Sequence, residues 1–73
     1  MGFGFIVYGH CASGFTEVWD VCPSLARAKA TGERVLQDWP VTECGTGGVR
    51  WVEIVGDDVL LGRSQGESEW TPA

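Results

Sequence analysis

Strand-like sequence that is apolar on both of its alternating faces is the feature that most constrains this chain. Residues 3–10 (FGFIVYGH) and 15–22 (FTEVWDVC) are rich in β-branched and aromatic types, and residues 49–55 (VRWVEIV) and 59–63 (VLLGR) repeat the pattern. Successive side chains of a strand point to opposite faces, so a sheet built from these segments needs apolar cover above and below. Only one segment, opened by Pro23-Ser24 and stopped by Pro40, has helical periodicity. The expectation is an α+β domain in two layers, ββαββ, with a mostly antiparallel four-stranded sheet in the order 2-1-3-4 and one helix on one face. The other face is left bare.

The first hairpin turns over Cys11-Ala12-Ser13-Gly14. Pairing His10 with Phe15 puts Phe3, Phe5, Val7, Val18 and Cys22 on one face and Ile6, Tyr8, Phe15, Trp19 and Val21 on the other. The second hairpin turns at Gly56-Asp57 or Asp57-Asp58, with Val52, Ile54, Val59 and Leu61 inside and Trp51, Val55 and Leu60 outside. The helix is expected on the Phe3, Phe5, Val7, Val18 side. The opposite side mixes Tyr8, Trp19 and Trp51 with Glu17, Glu53 and His10, and Tyr or Trp among scattered polar groups is what interfaces favour.

Ser24 is the candidate N-cap of the helix, although Arg27 at the third position rules out a reciprocal capping box. Leu25, Ala28, Gly32, Val35 or Leu36, and Trp39 form the apolar stripe, leaving Arg27, Glu33, Arg34 and Gln37 toward water. Gly32 in that stripe costs about 1 kcal/mol relative to Ala. The cost is offset if the missing side chain lets the helix lie close on the sheet, and Gly32→Leu should then overpack. Residues 64–73 are polar and read as a tail trailing from a domain of residues 1–63, with Trp70 able to fold back.

A chain of 73 residues has room for one domain, and at this size only about 60% of the unfolded surface is buried, so self-association would strengthen a marginal core. Four Trp, three Phe and one Tyr are too many bulky apolar groups for a disordered segment. The net charge is −5, and the excess is all in residues 38–73, where seven acids face Arg50 and Arg63. Nucleic-acid affinity comes largely from Lys and Arg displacing counterions, so direct DNA or RNA binding is disfavoured. The apolar start lacks a basic region, and no run approaches the roughly 20 residues of a membrane helix. Gly2 lacks the Ser or Thr of a myristoylation pattern, since Ile6 stands there. These features predict a cytosolic chain without membrane attachment.

The chemistry-bearing residues are sparse. His10 and Cys11 suggest a base and nucleophile, but neighbours in a strand point to opposite faces, and no catalytic residue is assigned. A metal site from His10, Cys11, Cys22 and Cys44 fails because Cys11 and Cys22 end opposite strand termini, on the order of 20 Å apart. That span also excludes a disulfide, which needs Cα atoms within about 7 Å. Three cysteines without a CxxC pair predict reduced thiols. Gly45-Thr46-Gly47-Gly48 precedes a strand rather than a helix and lacks the Lys-Ser/Thr ending of a phosphate loop. Asp57-Asp58 reads as turn chemistry. Neither a metal nor a cofactor is expected.

The short hairpin FIVYGHCASGFTEVWDVC, the Pro-Ser helix start with Leu25, Ala26 and Ala28, and the closing WVEI strand resemble small uncharacterised ββαβ-type proteins of bacteria and bacteriophages. The resemblance spans about Phe3 to Ile54, rests on pattern rather than a functional motif, and carries over no active site. It implies an accessory or host-interaction role. Arg outnumbering Lys and abundant Gly, Val, Ala and Trp suit a high-GC genome of that kind.

The sequence therefore points to a non-enzymatic protein-interaction module, a homodimer through the outer sheet face or an edge strand, with Tyr8, Trp19, Trp51 and Leu60 at the interface. Two other readings fit the same residues. One is an acidic inhibitor that imitates nucleic acid through Asp57, Asp58, Glu67 and Glu69 and blocks a DNA-binding protein. The other is a small-ligand binder that uses the aromatic sheet face.

Overall fold

The computed structural model describes residues 4–41, 47–56 and 58–73. Phe3, Cys44 and Asp57 lie outside these residues, as does most of the glycine-rich loop. Strands β1 (Phe5–Cys11) and β2 (Thr16–Cys22) form the first hairpin. The Cys11 amide donates to the Phe15 carbonyl at 2.7 Å and the Gly14 amide to the Cys11 carbonyl at 3.0 Å, while Gly14 takes φ 100°. The connection is thus Ala12 to Phe15, and His10 pairs with Thr16 rather than the expected Phe15.

Helix α1 spans Leu25–Asp38, and the Ser24 hydroxyl accepts from the Arg27 amide at 3.2 Å, as its N-cap role requires. Strands β3 (Val49–Gly56) and β4 (Val59–Ser64) form the second hairpin, with Gly56 paired to Val59 across the turn. A fifth strand, β5 (Thr71–Pro72), pairs with β4. The sheet is antiparallel throughout, in the order β2-β1-β3-β4-β5. The α+β class, the single helix and the 2-1-3-4 order match the expectation, and β5 is an addition to it.

The added strand corrects the reading of residues 64–73 as a trailing tail. Trp70 folds onto the helix side of the sheet, where its indole Nε1 donates to Glu33 Oε2 at 3.1 Å. Arg63 reaches the same Glu33 oxygen at 3.0 Å and stands 5.9 Å over the Trp70 ring. Gly32 makes room for this arrangement. A Cβ there would lie 2.6 Å from Trp70 Cη2 and 3.0 Å from Val52 Cγ1, so the glycine admits both the sheet and the folded-back indole.

The core lies between α1 and the face carrying Val7, Cys22, Val52 and Ile54, onto which Ala28, Val35 and Leu36 pack. Gln65 fastens the far end of the helix. Its side-chain amide donates to the carbonyls of Leu36, Trp39 and Val49 at 2.6, 3.3 and 3.1 Å. Those are helix-terminal and strand-start acceptors that nothing in the α1 sequence satisfies.

Candidate functional site

The expected bare face exists, but its membership differs from the sequence reading. Between Val7 and Tyr8 the β1–β2 register shifts: Val7 pairs with Asp20 and Tyr8 with Val18. Trp19 is therefore an extra, bulged residue, and a bulge re-aims the side chains around it. Trp19 turns to the helix side. It packs against the core and meets Trp39 with ring centroids 5.7 Å apart.

Gly9 receives the Trp19 indole. A side chain at Gly9 would collide with Trp19 Nε1 and Cδ1, and that Nε1 is buried without a hydrogen-bond partner. Val18 moves the opposite way, to the bare face, and is 60% exposed. The placements of Trp19 outside and Val18 inside are both corrected by this single bulge. Tyr8, Trp51 and Leu60 stay on the outer face, as expected.

Four strands build that face. β1 contributes Ile6, Tyr8 and His10, and β3 contributes Trp51, Glu53 and Val55. Val18 and Val21 come from β2, and Leu60 from β4. Val21 is 55% and Leu60 45% exposed. No helix, strand or loop among the described residues lies across them.

The polar groups in the middle of the face are tied to one another. His10 stacks flat on Trp51 at 3.8 Å with an interplanar angle of 3°. Its Nε2 is hydrogen-bonded to Glu53 Oε1 at 2.9 Å, and its Nδ1 to the Thr16 hydroxyl at 3.1 Å. Trp51 also reaches across to β4, where its ring edge stands 3.3 Å from where a Gly62 side chain would begin. The Trp51 indole thus lies flat along the sheet instead of projecting from it. The sequence named Trp51 but gave no sign of the His10–Glu53 pair, whose partners are 43 residues apart.

The remaining candidates are dispersed. Cys11 and Cys22 are free thiols at opposite ends of the hairpin, and Cys22 Sγ lies 3.6 Å from the Thr31 hydroxyl. Burial, and secondarily the charge of Glu17, push the Cys11 thiol above its ordinary value. Among the described residues no three His, Cys, Asp or Glu side chains gather closely enough to hold a metal ion, and no helix is long and apolar enough to cross a membrane. Glu67 is a turn cap: its carboxylate accepts from the Ser64 amide at 2.8 Å and its carbonyl from Arg63 Nε at 2.9 Å. No family model, curated protein or solved structure matches this chain, and its function is read from its own geometry.

Proposed function

We propose that this protein is a non-enzymatic interaction module that pairs with a second copy of itself through the outer face of its sheet. The observation that carries this reading is an apolar sheet face, Ile6, Tyr8, Val18, Val21, Val55 and Leu60, that no element among the described residues covers. Four strands about 4.8 Å apart and roughly seven residues long make a footprint on the order of 450 Å² before side-chain relief is counted. A stable interface buries about 800 Å² of accessible surface per partner. The face is of that scale.

Its polar centre suits a self-facing surface. His10 is hydrogen-bonded to both Glu53 and Thr16, so covering the face leaves neither of its ring nitrogens stranded. The same groups also form the hydroxyl, imidazole and carboxylate components of an acyl-transfer triad. Here they lie on an open sheet with the ring clamped on Trp51, and the amides of β1 and β3 are engaged in the ladder instead of forming an oxyanion hole. A structural role for the trio fits better. A cytosolic setting agrees with two free thiols, and the pattern-level likeness to small bacterial and phage proteins suits an accessory or host-interaction role.

The test is mass in solution. Light scattering coupled to size exclusion should give twice the chain mass at high micromolar concentration, and Val18→Arg or Leu60→Arg should return the monomer. Both side chains are exposed and lie outside the core cluster, so the variants should keep the fold. A wild type that stays monomeric throughout that range sinks the proposal.

A further inference from the structure

The bulge that turns Trp19 inward also opens a cleft between α1 and the edge strand β2, with a volume of about 530 Å³. This is within the roughly 300–1,000 Å³ of small-molecule sites. Trp19 and Trp39 close one end, and Trp39, although it meets Trp19, keeps 52% of its surface exposed. Arg27 and Arg34 stand along the wall, seven residues apart and so about 10 Å along the helix axis. Ala30 and Thr31 between them are small, which hollows the wall. Among the described residues neither guanidinium forms an ion pair or a side-chain hydrogen bond, although Asp20 and Asp38 line the same cleft.

Along α1 the order is therefore two free cations, then an acid, then an aromatic face. We infer that this cleft binds a mononucleotide, with the base on Trp39, its N–H donors toward Asp38, and the phosphate on Arg34 and Arg27. Aromatic rings stack bases irrespective of identity, and guanidinium groups grip phosphate in a bidentate fork. The chain's net charge of −5 repels a polyanionic strand. A single phosphate held between two arginines escapes most of that repulsion, so the site selects a monomer over a nucleic acid. The site is separate from the outer sheet face and does not depend on dimer formation.

The experiment titrates AMP, GMP, UMP and FMN into the full chain, followed by tryptophan fluorescence and amide chemical shifts, with adenosine and inorganic phosphate as controls. At least one nucleotide should saturate below about 5 mM, and adenosine should bind at least about tenfold more weakly. Shifts should centre on residues 27–39 and on Trp19. The double variant Arg27→Glu/Arg34→Glu should weaken binding at least about tenfold with an unchanged melting temperature, because both side chains are exposed. Val18→Arg should bind as the wild type does. Three outcomes would overturn the assignment: no saturation by any nucleotide, binding that survives the double charge reversal, or shifts centred on the outer sheet face.

Discussion

At the scale of single residues, Gly32 and Cys11 give the sharpest tests. Gly32→Leu should destabilise by roughly 1–3 kcal/mol through overpacking, since even one carbon there meets Trp70 and Val52. A double-mutant cycle of Gly32→Ala with Trp70→Ala, measured by urea unfolding, should show coupling: once the indole is gone, alanine at position 32 should regain part of its helix advantage of about 1 kcal/mol. Cys11 has a raised thiol pKa in the fold, so folding favours its protonated form. Its stabilising contribution is complete below the ordinary thiol range and is lost as pH rises through the raised value. Wild type should therefore lose more stability between neutral pH and pH about 10 than Cys11→Ser does. Alkylation of Cys11 at mildly alkaline pH should be slower than that of a free cysteine, because the thiolate is the reactive form. Gly32 was legible in the sequence as a costly residue in an apolar stripe. Its closest neighbour was not, because Trp70 arrives from the far end of the chain.

At the scale of elements, the last ten residues and the β2 bulge account for most of what the sequence reading missed. Polar residues and glycine made residues 64–73 read as a tail, yet Trp70, Arg63 and Glu33 lock them to α1 and let β5 pair with β4. Trp70→Ala should cost about 2–4 kcal/mol, toward the low side of a core tryptophan because the ring is only partly buried. Hydrogen exchange should show β5 losing protection first. Gln65→Ala should cost about 1–3 kcal/mol by stranding acceptors at the end of α1 and the start of β3, and thermal melts would measure it. The Arg63–Glu33 pair alone is worth little, because Glu33 is about half exposed. The helix and both hairpins were legible because periodicity, Ser24 and the turn residues are local signals. The bulge was not, since a strand's alternation shows which residues differ in face but not where an extra residue enters.

At the scale of the whole molecule, one helix and a five-stranded sheet leave one face without cover among the described residues. If that face joins a twin, the melting temperature must rise with protein concentration, because a dimer is favoured by mass action. Calorimetry over a hundredfold concentration range should show the rise for the wild type and a flat line for Val18→Arg. The folded-back tail bears directly on this. Trp70 packs on the helix side, where it thickens the existing core, while Thr71, paired with Gly62, and Ala73 lie at the margin of the outer side. Among the described residues, the surplus apolar surface that the sequence implied therefore survives folding of residues 64–73.

The sequence by itself determined the local elements, their order and the shortage of cover, because period-two and helical hydrophobic patterns, caps and turn residues act over a few positions. Only the tertiary structure decided which indole faces which side. That choice rests on a one-residue bulge opposite Val7, on the space left by Gly9 and Gly32, and on partners tens of residues apart, His10 with Glu53 and Trp70 with Glu33. Such contacts form only when distant segments pack, so no stretch of sequence contains them. Trp19 was consequently legible as an important aromatic residue but not as a wall of the α1–β2 cleft.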